Sequence, residues 1–272
     1  MPGSALLIYH LIMARMHYGT MGFGYSDWAR VFYPAGMKAG EYLSRYAKQF
    51  DAVELDTTFH ATPPVDRVRK WAEMVPERFR VCPKAPKAVT HEGGLARGAG
   101  EMQRFLDTMR ELGEKLGVVL IQLPPSCGVD QFEALERLLK TLPGDLRFAV
   151  EFRNSSWGIP RTLEMLKGVG CGLVAAEYLS RPTRIHLTAD FTYLRLIGEH
   201  ERFEKLNQVQ ADVSGSLEFW REQIETVKGQ IEDGWVFFSN DFSGYAIETC
   251  REFMRLMGEP VREVRDEGML FG

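Results

Sequence analysis

Several features that mark common classes of protein are missing from this chain of 272 residues. Its four cysteines form no C-x-x-C pair, which argues against a zinc ribbon or a thioredoxin-type redox site. The net charge is only −4, so no broad basic surface is predicted for nucleic acid or an anionic membrane. No segment approaches the ~20 apolar residues of a membrane span. We therefore expect a cytoplasmic protein with reduced cysteines and no membrane partner.

Motifs of known catalytic chemistry are also absent. The sequence has no His-Glu-x-x-His, Cys-His cluster or His-x-His, so no metal ligands are assigned. No Gly-x-Gly-x-x-Gly opens the first predicted helix, which argues against dinucleotide binding. We predict no cofactor, and a divalent metal held by residues from different strands is left as an alternative.

The chain does contain eight short apolar runs, most of which end at a charged or amide residue. The clearest are residues 52–54, 79–84, 118–122, 148–153, 173–177, 193–195 and 235–240. A fully buried parallel strand reads as a continuous apolar run, and helical stripes lie between these runs. The alternation predicts a single TIM-type (β/α)8 barrel of parallel strands, with its pocket at the C-terminal strand ends. A doubly wound open sheet gives the same alternation, but eight strands favour closure.

We expect the barrel to occupy residues 16–272 and residues 1–15 to form an N-terminal extension outside the fold. Two stretches interrupt the alternation. Residues 178–190 show no helical pattern after the sixth run, and residues 198–212 are polar and rich in Gln and Glu. The second stretch reads as a long loop on the pocket side, where such loops often carry binding function.

The residues at the ends of the runs predict the site. Three carboxylates are assigned as catalytic: Glu151, Glu177 and Glu54. The predicted substrate-binding residues are Lys84, Gln122, Arg153, Arg195, Asn240, His60, His91, Trp28 and Trp157. Residues i and i+2 of a strand face the same side, so Glu151 and Arg153 both point inward, and a nearby cation keeps a carboxylate ionised. A structural ion pair at the barrel mouth is the alternative.

The cations indicate an anionic ligand. Arginine and lysine at strand ends suit a phosphate or a carboxylate, and arginine offers two parallel donors. In TIM barrels, phosphate sites often use the loops after strands seven and eight. Here those loops begin at Arg195 and Asn240, and Ser243-Gly244 leads into the last helix. A phosphate-bearing ligand is therefore the favoured class.

Many short motifs also occur in an order that is similar to one known family. They are Tyr18-Gly19-Thr20, Tyr25-Ser26-Asp27-Trp28, Phe32-Tyr33-Pro34, Glu54-Leu55-Asp56-Thr57-Thr58-Phe59, Lys84 with Thr90-His91, Gln122-Leu123-Pro124-Pro125-Ser126, Glu151-Phe152-Arg153 with Ser156-Trp157, Tyr193-Leu194-Arg195 with Gly198, and Asn240-Asp241-Phe242 with Gly244. Over residues ~18 to 257 the chain resembles the domain-of-unknown-function family 72, also called YecE-like. The resemblance implies a TIM-like fold and no established activity.

Five positions beside the predicted pocket depart from the pattern of that family. They are Asp56 in place of asparagine, His60 in place of tyrosine, Ile197 in place of histidine, Glu177 in place of aspartate and Ser239 in place of asparagine. The substrate of a relative would therefore not transfer directly to this chain.

Together these observations predict an acid–base enzyme, a hydrolase or lyase, that acts on an anionic, phosphate-bearing small molecule or nucleic-acid fragment. Two alternatives stay open. One is a metal-assisted phosphodiesterase of the barrel endonuclease type, by analogy of fold alone. The other is a non-catalytic module that binds nucleic acid or a metabolite. The sequence does not predict the oligomeric state.

Overall fold

A computed structural model describes residues 14–92, 94–178 and 181–262. The predicted extension, residues 1–15, lies outside the described residues except for its last two, and Arg15 already belongs to the first strand. Among the described residues, no helix is both long and apolar enough to cross a bilayer.

Except for the two-residue β7, the described strands follow the apolar runs. They are β1 (Arg15–Thr20), β2 (Ala52–Leu55), β3 (Arg80–Pro83), β4 (Val119–Gln122), β5 (Phe148–Glu151), β6 (Gly172–Tyr178), β7 (Arg181–Pro182), β8 (Phe191–Leu196) and β9 (Asp233–Phe238). The helices between them are α1 (Tyr42–Tyr46), α2 (Thr57–His60), α3 (Val65–Met74), α4 (Lys87–Thr90), α5 (Gly98–Met109), α6 (Phe132–Lys140), α7 (Pro160–Gly168), α8 (Ser214–Val227), α9 (Asn240–Ser243) and α10 (Ala246–Leu256). Proline begins α7, where its missing N–H has no helical partner to lose.

The prediction of a closed eight-stranded (β/α)8 barrel is wrong, although the α/β class is correct. Six strands form one parallel ladder in the order β1-β9-β8-β6-β5-β4, which is an open and strongly curled half-barrel. β7 pairs antiparallel with β6, while β2 and β3 form a separate two-stranded sheet. At the junctions of the two sheets the strands are joined by isolated bridges and not by a continuous ladder. Examples are the bridges of Met21 with Glu54 and of Lys84 with Leu120.

A missing backbone donor contributes to the break between β3 and β4. Pro83 at the end of β3 has no backbone N–H to donate, and among the described residues only isolated bridges join β3 to the chain around β4. Strand length alone does not account for it, because β4 and β5 have four residues each and pair at all four positions. The apolar runs therefore predicted where the strands lie but not that their ladder would be interrupted.

The main sheet has two faces with different neighbours. The inner face carries a compact apolar cluster that includes Leu120, Tyr193 and Phe237. The helix face carries a much larger cluster, in which side chains such as Val150 and Leu194 pack against the helices. Because side chains alternate along a strand, each position belongs to one face only.

Two irregular segments match the sequence analysis. The described residues 181–190 contain no helix after β6. Residues 198–212 form a long loop without helix or strand, and the backbone N–H of Leu206 donates to Asp27 Oδ2 at 2.9 Å. This contact ties the loop to the segment that follows β1.

Candidate functional site

Arg195 is the centre of a buried group of charges at the C-terminal ends of the strands. It lies near the end of β8 and is only 3% exposed. Its guanidinium donates to Glu54 from Nη2 to Oε1 at 2.7 Å and from Nε to Oε2 at 3.0 Å. Its Nη1 donates to Glu151 Oε2. One side chain from β8 therefore holds a carboxylate from β2 and another from β5.

Glu54 is enclosed on every side. It is fully buried, and its Oε2 also accepts a hydrogen bond of 2.8 Å from the Tyr193 hydroxyl. Burial raises the pKa of Glu54 above its ordinary value, although the guanidinium of Arg195 favours the charged form. This carboxyl group therefore holds Arg195 and Tyr193 in place but has no open path to a ligand.

The pKa of Glu151 is shifted in the opposite direction to that of Glu54. Burial alone would raise its pKa, but Arg195, Arg153 and Lys84 together hold the pKa of Glu151 below its ordinary value. Its Oε1 pairs with Arg153, whose side chain is 19% exposed and lies 4.7 Å from the centre of the Tyr178 ring. Glu151 is therefore a buried but ionised carboxylate next to a cation that reaches solvent.

A second ion pair forms the outer part of the site. Lys84 Nζ lies 3.4 Å from Asp56 Oδ1 and 4.4 Å from the centre of the Phe59 ring. Asp56 Oδ1 is also 3.8 Å from Arg195 Nη2, and the Asp56 side chain is 44% exposed. We call Glu54, Asp56, Lys84, Glu151, Arg153 and Arg195 the charged cluster. The cluster contains three carboxylates and three cations. Asp56 is its most exposed member, the Arg153 side chain is 19% exposed, and the Lys84 side chain is 10% exposed and lies beneath Asp56 and Phe59.

Three other predicted residues lie beside the charged cluster. Gln122 pairs in register with Glu151 on the adjacent strand and therefore shares its face. His60 and His91 are exposed at the rim, where the His91 ring lies 4.9 Å from Phe59. Burial and the nearby Lys84 lower the pKa of His91, so its imidazole is neutral at pH 7.

Glu177 does not join the charged cluster. In the register of β6 and β8, Ala176 lies beside Arg195 and Glu177 lies beside Leu196, which packs on the helix face. The Glu177 carboxylate accepts hydrogen bonds from Trp220 Nε1 at 2.7 Å and Ser216 Oγ at 2.8 Å. The sequence predicts Glu177 as a catalytic residue together with Glu54 and Glu151, whereas one residue of alternation turns its side chain towards α8 and away from them.

Two predicted aromatic walls and one amide also have other partners. Trp28 is fully buried and donates from Nε1 to Asn240 Oδ1 at 3.2 Å. The same Asn240 oxygen accepts the backbone N–H of Ala246 at the start of α10. Trp157 donates to the carbonyl of Cys127 at 2.8 Å and stacks on Phe152, on the helix face. These three predicted substrate-binding residues therefore have structural contacts away from the charged cluster.

Two members of the site are not among the predicted site residues. The sequence presents Asp56 only as a departure from the family pattern and Tyr193 only within an apolar run and a family motif. Each lies two residues from a member of the charged cluster, Asp56 from Glu54 and Tyr193 from Arg195. The two-residue spacing on a strand was the available signal for Tyr193, because it places both side chains on one face.

The described residues bring together no group of three or more His, Cys, Asp and Glu side chains with the geometry of a metal site. The carboxylates of the charged cluster instead have cationic partners at hydrogen-bonding distance. No observation in this part of the molecule favours the metal-assisted alternative.

The protein therefore belongs to the α/β class. It is a curled half-barrel of parallel strands that carries a group of three carboxylates and three cations at its strand ends. The chain belongs to the family described as "Protein of unknown function DUF72", whose model matches residues 17–269. The resemblance drawn from the motifs is thereby confirmed.

Curated relatives carry no assigned activity in their names. The chain is 34% identical to "UPF0759 protein YecE" of Escherichia coli (strain K12) over 112 residues, and this match spans 41% of each chain. It is 27% identical to "UPF0759 protein YunF" of Bacillus subtilis (strain 168) over 270 residues, which cover 89% of this chain and 94% of the relative.

Solved structures of the family share the fold. A DUF72 family protein from Thermotoga maritima MSB8 matches with a TM-score of 0.76 and 26% identity, covering 90% of this chain and 100% of that one. A DUF72 family protein from Enterococcus faecalis V583 matches with a TM-score of 0.76 and 21% identity, covering 93% and 99%.

Proposed function

We propose that the protein is an acid–base enzyme, a hydrolase or lyase, that acts on an anionic, phosphate-bearing small molecule bound at the charged cluster. The observation that supports this proposal is the position of Glu151. It is buried and ionised, and it lies beside the two outer cations of the cluster, the partly exposed Arg153 and the more deeply buried Lys84, which pairs with the exposed Asp56. Perturbed carboxylates in such a setting are frequent at active sites.

Binding of the anion is assigned to Lys84 and Arg153. An ammonium and a guanidinium are strong donors to phosphate oxygens, and both are the outer cations of the cluster. In the structure, the Asp56 carboxylate forms an ion pair with one side of the Lys84 ammonium group. A phosphate group would compete with Asp56 for this cation, so binding depends on how readily that ion pair opens.

Proton transfer is assigned to Glu151, and Glu54 becomes a positioning residue. Glu151 is the buried, ionised carboxylate that pairs with the outer cation Arg153, so it is assigned as the group that accepts a substrate proton. Glu54 contacts Arg195 and Tyr193 from within the sheet. Loss of the Glu54 carboxylate would therefore displace Arg195, but it would not remove a group that touches the substrate.

A screen of phosphate monoesters and diesters, followed by 31P NMR, tests the proposal. We expect wild-type protein to convert at least one compound and Glu151→Gln to lose about 100- to 10,000-fold of that rate, the usual worth of a general base. Glu133→Gln, which changes an exposed glutamate paired with Arg161, is the matched control and should keep full activity. Full activity of Glu151→Gln, or no binding and no conversion of any phosphate ester by wild type, would contradict the proposal.

A further inference from the structure

An apolar cavity lies on the helix face of the main sheet, behind the charged cluster. Its volume is about 510 Å³, within the range of small-molecule pockets. Residues that follow β5, the first turns of α7, β6 and residues 183–186 form its walls. We propose that this cavity binds a small amphiphile with an apolar body and an anionic head group.

The cavity results from two irregularities of the fold. β5 and β6 are paired in register only at Ala149 with Gly172 and Val150 with Leu173, so the two strands separate beyond this point. In addition, the described residues after β6 form no helix that could cover its outer surface. The segment 183–186 and α7 enclose the space without filling it.

The interior of the cavity suits an apolar, flat group. Phe152, Trp157, Leu163 and Leu173 line it, and the rings of Phe152 and Trp157 are stacked with centres 4.7 Å apart. The Trp157 N–H already donates to Cys127, so the indole offers apolar surface to the cavity. Ile159, which is 37% exposed, also belongs to the wall.

Polar features of the walls indicate a hydrogen-bonding, negatively charged head group. Thr162 lines the cavity and is 2% exposed, yet its hydroxyl has no hydrogen-bond partner among the described residues. A buried hydroxyl without a partner is costly, and rotation of the Thr162 side chain towards the cavity would let a polar atom of a ligand satisfy it. Arg184 is exposed on the wall and forms no ion pair with any described residue. The N-terminus of α7 also lies here, and helix N-termini favour anions.

The cavity and the charged cluster are separate sites on opposite faces of β5. Phe152 faces the cavity, while its chain neighbours Glu151 and Arg153 form an ion pair of the cluster. An anionic probe could therefore bind at either place, and the experiment must distinguish the two. Lys84→Met serves this purpose because it weakens the cluster and leaves the cavity unchanged.

Isothermal titration with 1-naphthoate and with the neutral 1-naphthalenemethanol tests the proposal. We expect one saturable site for each probe in wild type and in Lys84→Met. Arg184→Gln should weaken naphthoate binding by about 2- to 5-fold, the usual worth of one exposed charge, and leave the neutral probe unchanged. Leu163→Trp, which fills the cavity, should remove binding of both probes, with circular dichroism as the check of folding. Arg202→Gln, an exposed arginine outside the cavity, is the matched control.

Three results would overturn the proposal. They are the absence of saturable binding to wild type, loss of binding in Lys84→Met, and unchanged naphthoate affinity in Arg184→Gln. If Leu163→Trp does not fold, Arg184→Gln decides the outcome alone, because its side chain is exposed and its removal does not disturb the core.

Discussion

Replacing Arg195 with methionine should destabilise the protein strongly, because two buried carboxylates lose the same partner. Glu54 is fully buried and Glu151 is 2% exposed, so water cannot replace the guanidinium at either one. Tyr193 would remain as a donor to Glu54, and Arg153 would remain beside Glu151. Methionine has a similar length and no charge, so the variant tests the charge and not the volume.

The size of the effect follows from the burial of the pair. Removing one partner of a buried ion pair costs about 3–5 kcal/mol. At about 2–4 °C per kcal/mol for a chain of this size, the melting temperature should fall by about 6–20 °C. The loss should be smaller at pH 4 than at pH 7, because a carboxyl group that takes up a proton no longer needs the guanidinium.

Urea unfolding followed by tryptophan fluorescence measures the change in the free energy of unfolding. The matched control is Arg161→Met, because Arg161 and its partner Glu133 are both more than half exposed. Its loss should change the free energy of unfolding by less than about 1 kcal/mol. If Arg195→Met were no more destabilising than this control, the charged cluster would not depend on its central guanidinium.

Three further predictions test other parts of the structure. Asp56→Asn should tighten binding of inorganic phosphate by about 2- to 5-fold in titration calorimetry at low salt, since the ionised Asp56 competes for Lys84. The folded-state pKa of Glu151 lies below its ordinary value, so its contribution to stability is present above that ordinary value and is lost as pH falls through the folded-state pKa. The excess stability of wild type over Glu151→Gln in urea unfolding should therefore shrink from pH 7 to pH 3.5. Gly19→Ala should lower the melting temperature sharply, because its Cβ would lie 2.0 Å from a backbone oxygen, whereas Gly24→Ala meets nothing within 4 Å and should be neutral.

The positions of the strands could be predicted from the sequence, whereas the closure of the sheet could not. A continuous apolar run reports burial on both faces, and each run became a strand. Whether two neighbouring strands complete a ladder depends on local backbone donors, such as the one that Pro83 lacks. Those features are set by a few residues and do not alter the hydrophobic pattern.

The charged cluster was predictable in its main members because their residue types are rarely buried alone. Glu54, Glu151 and Arg195 each lie at or near the end of an apolar run, and each needs a partner of opposite charge when buried. Glu177 has the same position at the end of a run, yet it lies on the other face and binds the indole of Trp220. An apolar run does not show which of its residues point to the inner face and which to the helix face. The sequence therefore could not exclude Glu177 from the charged cluster.

The most direct test of the central claim, that Lys84 and Arg153 bind an anion beside Glu151, is a crystal structure of the protein grown with inorganic phosphate. We predict a phosphate ion with oxygens within about 3 Å of Lys84 Nζ and the Arg153 guanidinium, and an opened Lys84–Asp56 pair. Crystals saturated with phosphate in which Lys84 still pairs with Asp56, and Arg153 only with Glu151, would contradict it.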